Sequence, residues 1–319
     1  MSDKMEIIGK YGKDDLAILY IAKMDNGQIL EFVESTQPPI PREKKWVLII
    51  STMFGCPIQC LMCDAGEYYA GNISKEQMLE EIDFLIKSRF PDTKYIDVPK
   101  FKIQFARMGE PALNDDVLEV IRELPSIYDA PGLMPCISTV APRTAGEFME
   151  KLLVIKDQLY SNGKFQLQFS IHSTNEEIRK KLMTSNIWTL EEIAEYGQRW
   201  FKEGDRKITL NFAVAEDYEI DPSVLKRIFD LSKYMIKITP INPTNKAIEN
   251  NLESAIKEEN EHYFPLVEEL RKEGFETLIS IGEWEENKIG TNCGQFATKY
   301  NKGQVEIKET YLTTQYKLN

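Results

Sequence analysis

Cys56, Cys60 and Cys63 stand together in the stretch GCPIQCLMC, residues 55–63, and make up three of the chain's five cysteines. A spacing of i, i+4, i+7 would also put three side chains on one helical face. Gly55 before the first cysteine and Pro57 after it argue instead for a tight loop, because both residues interrupt regular elements. A structural zinc site wants four ligands, commonly cysteine with histidine. The only histidines are His172 and His262, and no second CxxC occurs. Iron–sulfur chemistry suits the trio better. A cubane has four iron corners and ordinarily takes four thiolates. Three closely spaced thiolates leave one iron open to an external ligand, and an open coordination position is a catalytic arrangement.

Such a loop needs rigid elements on both sides. KKWVLIIST is a short β-branched run that reads as a buried strand leading into the cysteines. Upstream, DLAILYIAKMDNGQILEFVE predicts two strands joined at Asn26-Gly27, a strong hairpin signal. Downstream, helical and extended patterns alternate. ISKEQMLEEIDFLIKSR predicts a helix with Ser74 as N-cap. FKIQFARM, LMPCISTV, KFQLQFSIH, KITLNFAVA, MIKITPIN and ETLISIG read as strands, with helical segments between them. The helix in LNDDVLEVIREL is expected to be capped by Asn114 or Asp115. This order implies a parallel sheet with crossover helices, either a partial (β/α)6 barrel or an open doubly wound sheet. In both, sites lie at the C-terminal ends of strands, where every polar motif named below falls. The expected organisation is a β-rich extension over 1–44, the barrel over 45–300 and a tail over 301–319.

Of the 319 residues, 42% are hydrophobic and 28% charged, the balance of a soluble globular protein with a sizeable core. No apolar run approaches the roughly 20 residues a membrane span requires, so no membrane partner is expected. The N-terminus has no apolar signal region, and an odd, clustered set of cysteines is not an extracellular disulfide framework. A cytoplasmic location is expected. The net charge of -12 speaks against a long nucleic-acid footprint, DNA included, because phosphate contacts dominate such affinity. Arg42, Lys44 and Lys45, and Arg179, Lys180 and Lys181, are small basic patches that read as solvated surface. The acidic stretch from Glu253 to Glu286 reads the same way.

The CxxxCxxC spacing is similar to the signature of the radical S-adenosylmethionine (SAM) superfamily, with Met62 where an aromatic usually precedes the third cysteine. MGEPALN (108–114), ISTVAP (137–142), FSIHSTNEEIRKKL (169–182), ITPINP (238–243) and NCGQFA (292–297) follow in order. Together these motifs resemble the radical SAM methyltransferases that act on adenine in 23S ribosomal RNA and in some tRNAs, over roughly residues 15–300. The resemblance implies a [4Fe-4S] cluster on Cys56, Cys60 and Cys63 whose open iron chelates SAM. A one-electron donor, flavodoxin or ferredoxin, would drive cleavage of SAM to methionine and a 5′-deoxyadenosyl radical. Gly109 and Glu110 match the pair that receives the SAM amino group. Ser138, Ser170, Ile171, His172 and Asn242 match further SAM-contacting positions. Cys293 matches a methyl-carrying cysteine, and Glu31 a catalytic carboxylate near the substrate.

Two features depart from that family. Its second essential cysteine, which resolves the enzyme–RNA adduct by disulfide formation, falls at Ile49, and isoleucine can neither form a disulfide nor act as a base. Cys136 is the only spare thiol, on a strand and on the same side as Ser138. The sequence also begins only some 15 residues before the shared region, without the family's helical RNA-binding extension. The expected activity is therefore methyl or one-carbon transfer through Cys293 to a small molecule, a peptide or an RNA other than structured ribosomal RNA. An RNA adenine methyltransferase with altered release, an enzyme abstracting hydrogen directly from substrate, and an electron-transfer protein whose fourth corner is closed by Cys136 or Cys293 are the alternatives.

Overall fold

The computed structural model describes residues 5–92, 95–216, 218–257, 264–291, 296–298 and 313–318. Strands β1 (Glu6–Lys13), β2 (Ala17–Lys23) and β3 (Ile29–Ser35) form an antiparallel meander, and β3 pairs antiparallel with β4 (Lys45–Ile50). The β2–β3 turn forms at Asn26-Gly27 as expected, closed by Gly27 N–H donating to the Met24 carbonyl at 2.8 Å. The extension is thus a three-stranded meander, not a hairpin alone. Gly9 and Gly12 hide β1 in the sequence, since glycine weakens a strand pattern. At Gly12 (φ +143°) a side chain is impossible, because a Cβ would lie 2.0 Å from the Ala17 carbonyl oxygen across the turn.

A small hairpin, β5 (Met53–Gly55) with β6 (Tyr69–Asn72), brackets the cysteine loop. Strands β7 (Lys100–Phe105), β8 (Leu133–Thr139), β9 (Gln166–Ser170), β10 (Ile208–Val214), β11 (Tyr234–Pro240) and β12 (Thr277–Ile279) then join β4 in parallel. The crossovers carry α1 (Lys75–Lys87), α2 (Asp116–Ile127), α3 (Gly146–Leu159), α4 (Glu176–Met183), α5 (Leu190–Trp200), α6 (Pro222–Ile228), α7 (Asn245–Glu249) and α8 (Pro265–Lys272), and α9 (Trp284–Ile289) follows β12. Ser74 caps α1 in a full capping box with Gln77. At α2 the cap is Asp115 in position, but its side chain makes no cap bond, and Asn114 Oδ1 accepts the Asp116 N–H instead.

From β4 onward each strand lies beside its predecessor in the chain, with no reversal of direction. A doubly wound sheet requires a reversal, at its switch point, so that alternative is excluded. Crossovers of one hand taken always in one direction put the helices on one face. That face is apolar. Trp46, Phe101, Phe105, Phe169, Phe212 and Ile236 belong to one buried cluster with α1–α3 and α5. The opposite face carries Lys102, Gln104, Cys136, Gln168, Asn211 and Lys237, which the strand registers align. Lys45 and Lys237 stand on β4 and β11, five strand steps apart, or about 24 Å in a flat sheet. Yet Thr244, just past β11, donates through Oγ1 to the carbonyl of Met62, in the loop that follows β4 and β5, at 2.8 Å. The sheet therefore curls around its polar face as a partial barrel. It stays open, since β1 and β12 do not pair. Part of the β1 edge is covered by a bridge from Tyr11 to Lys317 and by Leu318 N–H donating to the Lys10 carbonyl at 2.9 Å.

Candidate active site

The cysteine loop follows β5, beyond the C-terminal end of β4, and is pinned from three sides. Cys56 N–H donates to the Tyr68 carbonyl (3.0 Å), and Leu61 N–H to the carbonyl of Leu182 in α4 (2.8 Å). Thr184 Oγ1 donates to the Ile58 carbonyl (2.6 Å) and Thr244 Oγ1 to the Met62 carbonyl (2.8 Å). Asp64, fully buried, accepts from the backbone amides of Asn245 (3.2 Å) and Lys246 (2.8 Å) and from Asn245 Nδ2 (3.0 Å). The chain ahead of β6, the end of α4 and the start of α7 thus hold residues 56–64.

Cys56, Cys60 and Cys63 are half-buried thiols. Cys56 and Cys63 pack on an apolar cluster that includes Met108 and Phe296, and Cys56 and Cys60 on another that includes Ile58 and Val140. Among the described residues no group of Cys, His, Asp or Glu side chains is arranged to hold a single metal ion. Three soft donors on one immobilised loop, seated on apolar side chains, fit a [4Fe-4S] cluster.

The other candidates ring this loop at strand exits. Gly109 (φ +102°) and Glu110 follow β7. The Glu110 carboxylate is buried and accepts from Ala112 N–H (3.0 Å), Thr139 Oγ1 (2.5 Å) and Val140 N–H (2.9 Å). It therefore ties the β7 exit to the β8 exit. Burial lifts its pKa to about 7 against the pull of those three bonds. Ser138 accepts from Gln168 Nε2 at 3.2 Å, Ser170 ends β9 half-buried, and Asn242 is exposed after β11. Ile171 is fully buried in the helix-side core, and its N–H donates to the Asn211 carbonyl at 2.8 Å, so its side chain faces away from the site. His172 adopts φ +65°, a conformation histidine tolerates better than most residues. Its Nδ1 accepts the Ala213 N–H at 3.0 Å, which leaves the proton on Nε2. Burial, then the charge of Arg179, push its pKa down to about 4, so the ring is neutral.

Cys293 lies outside the described residues, as does His262. The chain on either side of Cys293 is anchored. Arg107 Nη1 donates to the Thr291 carbonyl, and Arg107 Nη2 reaches the Gly290 carbonyl (3.4 Å) and pairs with Glu31 Oε1 (2.6 Å). Ala297 N–H donates to Glu31 Oε2 (3.4 Å), Thr298 Oγ1 donates to the Asp64 carbonyl (3.1 Å), and Phe296 stacks on Tyr11 with centroids 5.1 Å apart. Glu31 and Arg107 are both buried, so this carboxylate grips protein rather than solvent. Ile49 packs in the same apolar cluster as Cys56 and Cys63. Cys136 is buried deeper on the polar face. Its thiol donates to the Met134 carbonyl (3.4 Å), and burial raises its pKa, which keeps it protonated.

Sequence reasoning missed Arg107, Asp64 and Thr244. Only Asp64 carried a signal, as a carboxylate directly after the last cysteine.

No family model matches the chain. The large-subunit ribosomal RNA methyltransferase N of Nitrosopumilus maritimus is 26% identical over 290 residues, 87% of this chain and 76% of that protein. A probable dual-specificity RNA methyltransferase RlmN of Clostridium novyi is 26% identical over 79% of this chain and 69% of its own length. The chain is thus similar, at low identity, to RlmN-type radical SAM methyltransferases. The chain is an enzyme. A probable RlmN of Petrotoga mobilis is 22% identical and extends the match to 93% of the chain. The fold agrees with that of a radical SAM methyltransferase from Sphaerobacter thermophilus, at a TM-score of 0.70 and 18% identity, covering 92% of this chain and 81% of that one. RlmN-type homology implies SAM and an iron–sulfur cluster as the cofactors. Among the described residues no helix is long and apolar enough to cross a membrane.

Proposed function

We propose that the enzyme binds a [4Fe-4S] cluster through Cys56, Cys60 and Cys63 and transfers a methyl or one-carbon unit through Cys293 to an acceptor other than structured ribosomal RNA. The observation that carries the reading is that the two Cys293 flanks are tied together through Glu31 and Arg107 and that one of them is bonded to Asp64, directly after the last cysteine of the loop. When bound, the cluster and SAM supply a methyl donor and one-electron radical chemistry, with the electron drawn from a flavodoxin or ferredoxin.

The chain's own residues bind and orient. The main chain at Gly109, Ser138 and Ser170, the neutral Nε2–H of His172 and the exposed Asn242 form an arc of strand exits for SAM. Glu110 sets the spacing of two of those exits through Thr139 and Val140. Glu31 acts on Cys293 by holding its flanking segment together with Arg107. Ile49 beside the cysteines closes the family's disulfide release route, so the acceptor must leave by another step. The net charge of -12 favours a small or lightly charged acceptor. A second reading, an RNA acceptor, is favoured by the relatives' names, all of which specify RNA methyltransferases.

The test is anaerobic reconstitution with iron, sulfide, SAM and reductant, followed by trypsin. The peptide 289–299 carries Cys293 and no other cysteine. Mass spectrometry is expected to find one added methyl group on it. An unmodified peptide alongside 5′-deoxyadenosine would overturn the carrier role and leave a direct hydrogen-abstracting enzyme. RNA binding that weakens steeply with salt would move the acceptor to the second reading.

A further inference from the structure

The polar face of the sheet holds a second cationic centre, at the end away from the cysteines. Lys45 opens β4, Lys100 and Lys102 are the first and third residues of β7, and Lys237 is the fourth of β11. The registers Lys45↔Lys100 and Asn211↔Lys237, with the pairings between them, put all four on the concave face. From Lys45 to the loop end of β4 is five residues, about 17 Å of strand.

None of the four lysines has an acidic partner among the described residues. Lys102, buried, donates only to Gln166 Oε1 at 2.8 Å. Elsewhere the protein pairs its buried cations. Lys156 bonds Asp157 and Asp205, each at 2.7 Å, and lies over the Trp200 ring, while Arg107 has Glu31. The chain has 51 acidic residues against 39 basic ones, so unpaired lysines here do not reflect a shortage of carboxylates. Asn211, aligned with Lys237 on one side and with Ser170 on the other, keeps a buried Oδ1 with no hydrogen-bond partner among the described residues. Four ammonium groups gathered against a low-dielectric wall are costly unless a counter-charge arrives. The titration of Lys45, Lys100 and Lys237 reflects that cost. Burial first, then the neighbouring lysines, hold Lys45 and Lys237 down to about 8 and lower Lys100.

We propose that the floor of the barrel is a binding site for a small phosphate-class oxyanion, held by Lys45, Lys100, Lys102 and Lys237, with Gln166 as a polar partner. Ammonium groups suit such an ion as compact point charges, and charge-assisted bonds are the strong ones. The site stands on the fold alone. It is independent of the radical chemistry at the mouth, so either can fail without the other.

The probes are inorganic phosphate and glycerol 3-phosphate, with chloride at matched ionic strength as reference, added to the cluster-reconstituted enzyme. Melting temperature and calorimetry are the readouts. A saturable rise with phosphate supports a free anion. A rise with the ester that reaches saturation at lower concentration supports a phosphorylated small molecule. Lys102→Met and Lys237→Met are each expected to weaken the response by about tenfold or more, while Lys226→Met, a surface control paired with Glu273, leaves it unchanged. Lys237→Met removes an unpaired charge without cutting a hydrogen bond and so keeps the test readable should Lys102→Met fold poorly. No response beyond chloride, or an equal response in both floor variants, would overturn the site.

Discussion

Among single residues, the buried pair of Glu31 and Arg107 holds the flanks of the Cys293 segment. It joins β3, the β7 exit and both flanks of the Cys293 segment. Breaking such a pair from one side strands a buried charge, which costs about 3–5 kcal/mol. Glu31→Gln is therefore expected to lower stability by that order in urea titration. The double variant Glu31→Gln/Arg107→Met should lose clearly less than the sum of the two singles. Strict additivity would mean that the two side chains do not act as a pair. His172 makes a different point. Its type and position were visible in the sequence, but not its tautomer or its neutrality, which come from the Ala213 amide and from burial.

The elements succeed or fail by how they deliver loops to one rim. Ser74 was legible as a cap because capping is local chemistry, and the capping box forms as the sequence predicts. Gly109 is demanded by its surroundings. At φ +102° an added Cβ would stand 2.6 Å from Thr52 Oγ1 and 2.7 Å from Met53 Cβ. Gly109→Ala is expected to cost more than about 1 kcal/mol and to displace the β7 exit from β5. The measurable result is weaker SAM binding by calorimetry, with far-ultraviolet circular dichroism unchanged. Full SAM affinity in that variant would show that the backbone at Gly109 is not part of the cofactor arc.

For the molecule as a whole, curling the sheet gathers like charges that the linear sequence keeps 55 to 192 residues apart, from Lys45 to Lys100 and to Lys237. A lysine whose folded pKa is depressed is disfavoured in its charged form. Lys45 and Lys237 release their protons near 8 in the fold, whereas the unfolded chain holds them to 10.5. Between those values the unfolded state binds more protons, so this contribution to stability grows as pH rises and is lost as pH falls through 8. In chloride buffers free of oxyanions, Lys237→Met is expected to melt above the wild type at pH 7.5, with the gap narrowing by pH 9.5. A gap that widens with pH would contradict the assignment of these lysines to a crowded floor.

The sequence by itself determined the cysteine loop, the hairpin at Asn26-Gly27, the alternation of strands and helices, and the order in which polar motifs leave the strands. Each of these is written in local spacing, turn chemistry or periodicity. Tertiary structure alone decided that β1 exists despite Gly9 and Gly12, since pairing with β2 overrides weak local propensity. It also decided that the sheet curls in one direction, that Glu31 meets Arg107 rather than solvent, and that four lysines share one floor. Those outcomes depend on which distant strands become neighbours and on how far the sheet twists, and no short window of residues carries that information.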